Sequence, residues 1–442
     1  NGQQVGNGGI GVADDESDVL SAYRMPTVIP VFDELGQYAS TKAGGFNNPR
    51  NPVRSRTLNL QNDKSFNANG VGLLYAEFDV IKNLVLRSSI GADFTSNFFK
   101  GYNYRYLGDS EPEASNSFNE GSSNGLGWVN TNTVSYNFKI GNHGITALAG
   151  AEFLNTGKGR FVNGSGLNPF SMDLDYVNLN VVQSPVVSSG LFSGVNFESV
   201  FAKVDYNLND KYYLSGTIRR DGSSRFGINS RYGVFPAIAG AWRLTGEDFL
   251  RANNFITDLK LRVGWGQMGN SNNVDPANQY SLYAANRGLS YYPIGGQNNG
   301  ADEGYFRSRI GNPDAKWETT TTSNIGFDAT LLDGKWEIVA DLWRKNTEDL
   351  LYTVPLPGVL GTNASAPAVN IAKMLNNGLD MLIINRGNFS SDVTYEASWS
   401  SSFLHNEISY LAPNVLFFGG NGYRGVSPVR NAVGQPLSSF FG

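Results

Sequence analysis

The chain has 442 residues, of which 17% are charged and 12% are aromatic, and its formal net charge at pH 7 is −5. This composition is too apolar for a disordered chain, and its acidic balance provides no basic surface for binding nucleic acid. The lack of cysteine excludes disulfides and thiolate metal sites. The sequence contains no run of about 18 apolar residues, so no transmembrane helix is predicted.

Residues 1–69 are rich in proline, asparagine and glycine, which predicts one long loop. The first hairpin follows, with strands over 71–80 and 84–98 joined by a short turn. In the second strand, apolar side chains such as Leu86 and Ile90 alternate with polar ones such as Arg87. A period of two places alternate side chains on opposite faces of a strand.

The same alternation recurs along the chain and is clearest in 199–244. There Val200, Ala202 and Val204 lie on one predicted face, and Lys203 and Asp205 lie on the other. The strands predicted after the first hairpin cover 128–140, 145–155, 199–208, 212–220, 234–244, 259–267, 317–331, 336–349, 379–386 and 393–405. The pattern therefore predicts about twelve strands between 70 and 406, with the start of a further loop over 407–442.

The connections alternate between short turns and long loops, apart from a medium link that starts at Thr245. Short turns at one end and long loops at the other are typical of outer-membrane barrels, whose short turns are periplasmic and whose long loops are extracellular. The polar face suits a water-filled interior, because buried charges need water or a partner. Aromatic residues near strand ends suit the girdles at the two membrane interfaces; they are Phe98, Trp128, Tyr212, Trp242, Trp265, Trp317, Trp336 and Trp399.

Several phrases, in order, resemble the SusC/RagA family of TonB-dependent transporters from the outer membrane of Bacteroidetes. They are NNPRNP at 47–52, LSGTIRRDGSSRF at 214–226, RYGVFP at 231–236, LKLR at 259–262, NGLD at 377–380 and VGQPLSSFFG at 433–442. The resemblance implies an all-β fold, namely an antiparallel transmembrane barrel that has 22 strands and a plug in that family. The chain begins at Asn1 and is interpreted as an interior piece of such a barrel, without the plug domain and the closing strands.

The resemblance also implies a function. It predicts active import of a glycan or peptide across the bacterial outer membrane, by a multi-pass protein in the lipid bilayer. The implied partners are a surface lipoprotein of the SusD type and TonB with its inner-membrane energising complex, which would act through the missing N-terminal part. No motif of a hydrolase, a nucleotide-binding loop or a zinc site occurs, so we expect no enzyme activity, no catalytic or metal-binding residue and no cofactor.

Candidate substrate-binding residues lie in the longest predicted loop, 268–316, and just after the strand 212–220. They are Tyr280, Tyr283, Tyr291, Tyr292, Asn298 and Arg225. Sugar sites combine aromatic faces with planar polar side chains, and these residues supply both types. The alternative is that the tyrosines only pack against other loops or a lid. In that case Arg225 and its charged neighbours Arg219 and Asp221 pair with one another and fix the start of the loop.

Two other functions remain compatible with the pattern. A passive porin-like or adhesin barrel has the same strands but needs neither a plug nor TonB. A soluble surface protein that binds glycans would bury the apolar faces of its strands against protein rather than lipid. The contact made by those apolar faces therefore decides between the interpretations.

Overall fold

The structure is a computed structural model that describes residues 2–5, 18–41, 50–54, 56–57, 64–108, 112–171, 173–251, 255–286, 288–296, 300–353, 356, 364–413, 415–419 and 428–441. Within these residues, fourteen strands form one sheet, which confirms the predicted all-β antiparallel fold. Two short hairpins and several short helical segments accompany it in the described residues, among them two α-helices and two 3-10 helices. No helix of the described part is long and apolar enough to span a bilayer.

The strands of the sheet are β1 Gly2–Val5, β2 Lys64–Ile81, β3 Leu84–Asn103, β4 Ser117–Ile140, β5 His143–Leu167, β6 Gln183–Phe192, β7 Asn196–Leu208, β8 Tyr212–Ser223, β9 Tyr232–Arg243, β10 Ile256–Asn270, β13 Glu318–Leu331, β14 Trp336–Thr353, β15 Ala368–Asn388 and β16 Thr394–Leu411. The hairpins are β11 Leu282–Ala284 with β12 Phe306–Arg309, and β17 Val429–Arg430 with β18 Ser439–Phe440. The two α-helices are α1 Asp18–Arg24 and α2 Asp248–Arg251.

Strand order follows the chain almost without exception. It runs β1-β2-β3-β4-β5-β7-β8-β9-β10-β13-β14-β15-β16, and β6 pairs with β5 beside this path. The chain divides into two compact units. The first unit comprises residues 1–74, 90–129 and 155–194, and the second comprises 75–89, 130–154 and 195–442.

In the second unit, the two faces of the sheet differ as the sequence predicts. Apolar side chains of one face are each about half exposed, because no described residue covers them; Val200, Val204, Leu214, Ile218, Val234, Ile238, Val263, Ile325 and Leu342 range from 50% to 59% exposed. The opposite face carries ion pairs such as Lys203–Asp205 at 2.9 Å. The period-two pattern thus separates an uncovered apolar face from a charged face.

Short turns join the strands at one end of the second unit. The turn between β7 and β8 contains Asn209 and Asp210, with φ of 55° and 54°. Two successive positive φ angles allow a tight hairpin whose twist matches that of the strands, and asparagine and aspartate tolerate them. Leu332, Asp333 and Gly334 likewise have positive φ between β13 and β14, so the turn predicted there is confirmed.

The first unit contains longer strands than the sequence predicts. β3 continues to Asn103, β4 already begins at Ser117, and β5 extends to Leu167, where β6 pairs with it. The predicted loops over 99–125 and 156–198 are therefore too long. Main-chain hydrogen bonds continue the strands through serine, asparagine and glycine, where no apolar alternation marks them.

Both ends of the chain also depart from the expectation of continuous loop. Within 1–69 the structure has β1, α1 and the first residues of β2. Within 407–442, β16 continues to Leu411 and the β17–β18 hairpin follows. β1 pairs with polar residues of β2, from Lys64 to Asn67, and such pairing needs only main-chain groups. Residues 47–49 of the NNPRNP phrase lie outside the described residues.

Aromatic residues near strand ends are mostly exposed, as girdle residues would be. Trp128, Trp265, Trp336 and Trp399 are 40% to 53% exposed. Trp317 is an exception, since it is only 8% exposed and packs between Phe226 and Phe235, with ring centroids 5.0 and 5.6 Å away. Its assignment to a girdle is therefore wrong, and its burial was missed because the residues that cover it come from distant parts of the sequence.

Candidate functional site

At the loop end of the second unit, an apolar cluster anchors the longest loop to the strands. Its buried members are Phe226, Phe235, Val274, Ala315, Trp317, Leu351 and Ala368. The Trp317 indole also donates to the carbonyl of Arg231 at 3.1 Å. We call this cluster, with the polar residues that hydrogen-bond around it, the loop base. It joins loop residues to residues of β9, β14 and β15, so the loop that it anchors starts from a fixed position.

Two asparagines fix the ends of the longest loop. Asn278 is 2% exposed; its side chain accepts from the Ala368 amide at 2.8 Å and donates to the Ala368 carbonyl at 3.3 Å. The side chain of Asn312 donates to the same carbonyl at 3.0 Å, and the main-chain amide of Asn312 donates to the main-chain carbonyl of Asn278 at 2.6 Å. Residues 278 and 312 therefore lie side by side, and we call the segment between them the arm; its residues 308 and 310 also hydrogen-bond to the main chain of Ser365.

Arg225 lies at the loop base, where it contacts the main chain. Its guanidinium donates to the carbonyls of Val274 and Asn272, and its buried Nε has no partner among the described residues. Burial lowers the pKa of Arg225, and the nearby charge of Asp275 opposes this effect. The predicted role of Arg225 in substrate binding stays a prediction; in the structure this side chain holds the start of the arm.

An ion pair closes the arm just above its base. Arg309 donates through both terminal nitrogens to Asp275, at 2.5 and 3.1 Å. These hydrogen bonds lower the pKa of Asp275 from its ordinary value and raise the pKa of Arg309 from its ordinary value. The paired geometry, in which two N–H groups meet two carboxylate oxygens, is the strongest form of such a contact.

The arm brings the predicted tyrosines together on an exposed hairpin. Tyr280, Tyr283 and Tyr292 are 56%, 64% and 62% exposed, whereas Tyr291 is half-buried. Tyr283 belongs to β11, and Tyr292 forms a bridge with Asp302. Asn298 lies outside the described residues. The tyrosines thus share one arm, while Arg225 lies at its base.

A row of polar side chains crosses the charged face of the sheet. In the strand register Arg262 is opposite Gly326, which is opposite Asp341. Arg262 donates to Asp328 and to Asp341 at 2.8 to 3.1 Å. A side chain at 326 would collide with the Asp341 carboxylate, so this glycine leaves the space through which the arginine reaches across a strand.

The row continues over the next strands. Asp341 is opposite Asp380, and Asp380 is opposite Ser402. Asp380 accepts from Trp343 Nε1 at 2.8 Å and from the Ser402 hydroxyl. The alternation of Leu261 and Val263 with Arg262 indicates the polar face for this arginine, but its partners cannot be predicted, because pairing across strands requires the register. Gly326, inside a clear strand pattern, was the signal available.

A second network on the charged face involves Arg219. Its guanidinium binds Glu152 at 2.8 Å and Asp221 at 2.6 Å, and it donates to Ser199 at 2.8 Å. Its carbon Cζ also lies 5.3 Å from the centre of the Phe201 ring. Arg219 and Asp221 therefore pair with each other, as expected if these charges stabilise the loop. Arg225 instead contacts main-chain carbonyls.

Near the short turns, the charged face borders a cavity of about 670 Å³. Its lining includes Lys139, Asp205, Tyr213, Arg262 and Asn324. These polar groups lie among apolar residues such as Leu214 and Val263, so the lining is mixed. Among the described residues, no cluster of at least three histidine, aspartate or glutamate side chains has a geometry that could hold a metal ion.

In the first unit, loop residues pack against the extended strands. Tyr102, Phe118, Leu174 and Val177 form a buried cluster. Lys100 donates to the carbonyl of Leu174 at 2.8 Å and fixes this loop to β3. The buried Tyr102 hydroxyl has no partner among the described residues. The cluster supports the loop and presents no concentration of polar groups.

Comparison with known proteins identifies the class. The family model "TonB dependent receptor-like, beta-barrel" matches residues 13–439. The TonB-dependent receptor SusC of Bacteroides thetaiotaomicron is 30% identical over 380 residues, which are 83% of this chain and 35% of that protein. TonB-dependent receptor P39 of Formosa agariphila is 29% identical, over 88% of this chain and 36% of that protein.

Solved structures agree on the fold. A structure of the RagAB peptide importer in its "closed-closed" state superposes with a TM-score of 0.75 at 23% identity, covering 92% of this chain and 43% of that one. The chain belongs to the TonB-dependent receptor β-barrel family. It spans 35% to 39% of the length of the curated relatives it matches.

Proposed function

We propose that this chain is part of a TonB-dependent importer that takes up a glycan or a peptide across the bacterial outer membrane. The observation that carries the proposal is the uncovered apolar face of β7 to β10 and β13 to β16. Its side chains are about half exposed, although soluble proteins rarely expose apolar patches beyond a few hundred Å². Contact with lipid accounts for that face, and an aqueous interior accounts for the charges on the other.

The same proposal includes the rest of the machinery. A plug domain and closing strands belong to other parts of a longer protein, and TonB with its inner-membrane energising complex drives transport through them. A surface lipoprotein of the SusD type covers the loop end. The resemblance to SusC/RagA proteins supports these partners. The solved relative described as a peptide importer supports the peptide alternative for the substrate.

Within this scheme, the arm is the part that first contacts substrate. Tyr280, Tyr283, Tyr291 and Tyr292 supply aromatic faces, and Asn298 is a further proposed substrate contact by its residue type. Arg225 acts beneath them through its contacts with the loop main chain. The exposure of three of these tyrosines supports this assignment, because an aromatic side chain that only stabilised the loop would be buried.

Deletion of residues 282–309 from the full-length protein tests the proposal. The two ends of this segment nearly meet, since the Gly311 amide donates to the Ser281 hydroxyl at 3.1 Å. The loop base keeps Val274, Asn278 and Asn312. We expect outer-membrane insertion to be retained and uptake of the labelled substrate to be lost. Replacement of 282–309 by a glycine–serine segment of equal length controls for chain length.

The alternatives predict other results. A soluble glycan-binding protein would leave the cell envelope in detergent-free buffer, and a passive porin would continue uptake after the proton-motive force is collapsed. Either result would contradict the importer. Loss of the folded barrel on deletion of 282–309 would contradict the assignment of this segment to a loop that the strands do not need.

A further inference from the structure

The hairpin of β11 and β12 carries an exposed patch in which one arginine lies between two tyrosines. Tyr283 of β11 is directly opposite Arg307 of β12, so the two side chains share one face of the hairpin. Tyr305 precedes Arg307 by two positions, the spacing that brings alternate side chains to the same face. Exposure agrees, since Tyr305 and Arg307 are exposed while Phe306 between them is half-buried.

The side chains of the patch have no partner within the part of the chain that the structure describes. Tyr283 and Tyr305 are 64% and 70% exposed. Arg309, on the same strand, is instead held by both oxygens of Asp275. The two arginines of β12 therefore differ: one closes the arm, and the other presents its five N–H donors to solvent.

We infer that Tyr283, Tyr305 and Arg307 form a binding subsite for an acidic saccharide, that is, an oligosaccharide containing uronic acid residues; this inference rests on the import function proposed above. A guanidinium can donate two parallel hydrogen bonds to one carboxylate. The apolar faces of pyranose rings stack on aromatic rings, and cross-strand neighbours lie about 4.5–5.5 Å apart, which matches the length of one sugar unit.

The hairpin is less suited to an extended peptide. β11 and β12 have only three and four residues, and recognition of a peptide by strand addition needs a longer run of main-chain groups. A saccharide requires only the side-chain patch, which is complete on this short hairpin. The observations therefore favour the acidic saccharide over an acidic peptide.

One neighbouring charge opposes the proposed ligand and provides a matched control. Glu303 is exposed and lies on the same hairpin, two positions before Tyr305. Its carboxylate repels an anion near Arg307, so the Glu303→Gln variant should bind an acidic saccharide more tightly. Asp302 is also close, but it accepts from the Ile294 amide at 3.3 Å and is left unchanged.

The test uses the full-length transporter in detergent together with its surface lipoprotein. Calorimetric titration compares tetramers of galacturonate, glucuronate and mannuronate with the carboxyl-reduced, neutral form of each. At least one acidic tetramer should bind, and Arg307→Gln should weaken that binding by about tenfold or more, with no change for the neutral form. Arg307→Lys should recover only part of the affinity, because lysine lacks the paired donors.

The aromatic part of the subsite has its own readout. Tyr283→Ala and Tyr305→Ala should weaken acidic and neutral tetramers alike, since stacking does not involve the carboxylate. Higher salt should lower the affinity of the wild type for the acidic tetramer and leave that of Arg307→Gln nearly unchanged. Circular dichroism shows that each variant is folded.

The results separate this inference from the importer itself. If the transporter binds or imports a saccharide with no change in Arg307→Gln, the subsite is wrong and the importer stands. Failure of all three acidic tetramers to bind, or binding of an acidic peptide at the same residues, overturns the inference. Loss of lipoprotein association in Arg307→Gln, with saccharide binding intact, assigns the patch to the partner and also overturns it. Failure of the cells to accumulate any solute would contradict the import function.

Discussion

Apolar side chains in the strand bodies and in the loop base of the second unit have opposite environments. On β7, β8 and β9, the side chains of Val204, Leu214 and Ile238 are 50% to 53% exposed. At the loop base, the side chains of Phe226 and Val274 are 0% and 1% exposed. The loop base forms a core like that of a soluble protein, whereas no described residue covers the apolar face of the strands.

The polar groups of the two regions differ in the same way. On the charged face, Arg262 and Asp341 are paired but keep about a quarter of their side-chain surface exposed, at 27% and 25%. At the loop base, Asn278 is buried and satisfies both main-chain groups of Ala368. Surface ion pairs contribute little to stability, while a buried polar group left without a partner costs about 1–3 kcal/mol. The strands therefore depend on their surroundings, and the loop base depends on its internal contacts.

The largest effect is expected where a charge is placed on the apolar face. Ile218→Arg should lower the free energy of unfolding in lipid vesicles by about 2–4 kcal/mol if residue 218 lies near the bilayer midplane. Urea titration in vesicles measures this change. Thr217→Arg is the matched control, because Thr217 is the neighbour on the charged face, opposite Lys203 and Ala237.

We expect Thr217→Arg to cost much less than Ile218→Arg, although repulsion from Lys203 keeps its cost above zero. Equal costs for the two variants would mean that both faces meet the same environment. A greater cost for Thr217→Arg would mean that the charged face, and not the apolar one, is in contact with lipid.

A smaller effect is expected from the loop base. Asn278→Ala leaves the Ala368 amide without its acceptor in a buried site and should destabilise the loop base by about 1–3 kcal/mol. Hydrogen exchange of residues 368 and 274 in the full-length protein measures this change. Asn312→Ala is the matched control, because Asn278 still serves the Ala368 carbonyl in that variant.

If Asn278→Ala and Asn312→Ala lose the same protection from exchange, the contact of Asn278 with the Ala368 amide adds no stability beyond that of the carbonyl contacts. Protection unchanged in Asn278→Ala would mean that the loop base is held by its apolar cluster alone. In neither case should the exchange of β7 and β8 strand amides change, since those strands pair independently of the loop.

These differences explain which parts could be predicted from the sequence. A strand shows its two faces in a short window, so Val200 and Lys203 were assigned correctly, as was the tight turn at Leu332–Gly334. The ends of β3 and β5 were missed because polar strand segments have no apolar alternation. The loop base was missed because it joins Phe226, Asn278, Trp317 and Ala368, which are far apart in the sequence and have no local signal.

The candidate site also contains residues that the sequence predicts and residues that only the strand pairing brings together. Three of the tyrosines predicted from one long loop, Tyr280, Tyr283 and Tyr292, lie on the arm and are exposed, and their role in substrate binding stays a prediction. Tyr305 and Arg307 were not found, because they face Tyr283 only through the pairing of β11 with β12. The contacts of Arg225 with two carbonyls could not be found either, since main-chain groups leave no trace in a sequence.

The smallest effect concerns the ion pair between Asp275 and Arg309, which links the loop base to the arm. The pKa of Asp275 is lowered in the folded protein, so the stabilisation is fully present above the unfolded pKa of 3.8 and is lost as pH falls below it. Such a partly exposed pair contributes about 0.2–1 kcal/mol. Acid should therefore loosen the arm without unfolding the strands.

Site-directed spin labelling detects this change. The chain contains no cysteine of its own, so a nitroxide at Glu303→Cys reports the mobility of the arm. Mobility should rise as pH is lowered from 6 to about 3, whereas in Asp275→Asn it should be high at every pH. A label at Ser400→Cys on β16 is the control and should not respond. A pH response that survives in Asp275→Asn would transfer the effect to another acidic group of the arm, such as Asp302, and would remove the ion pair from its role as the contact that closes the arm.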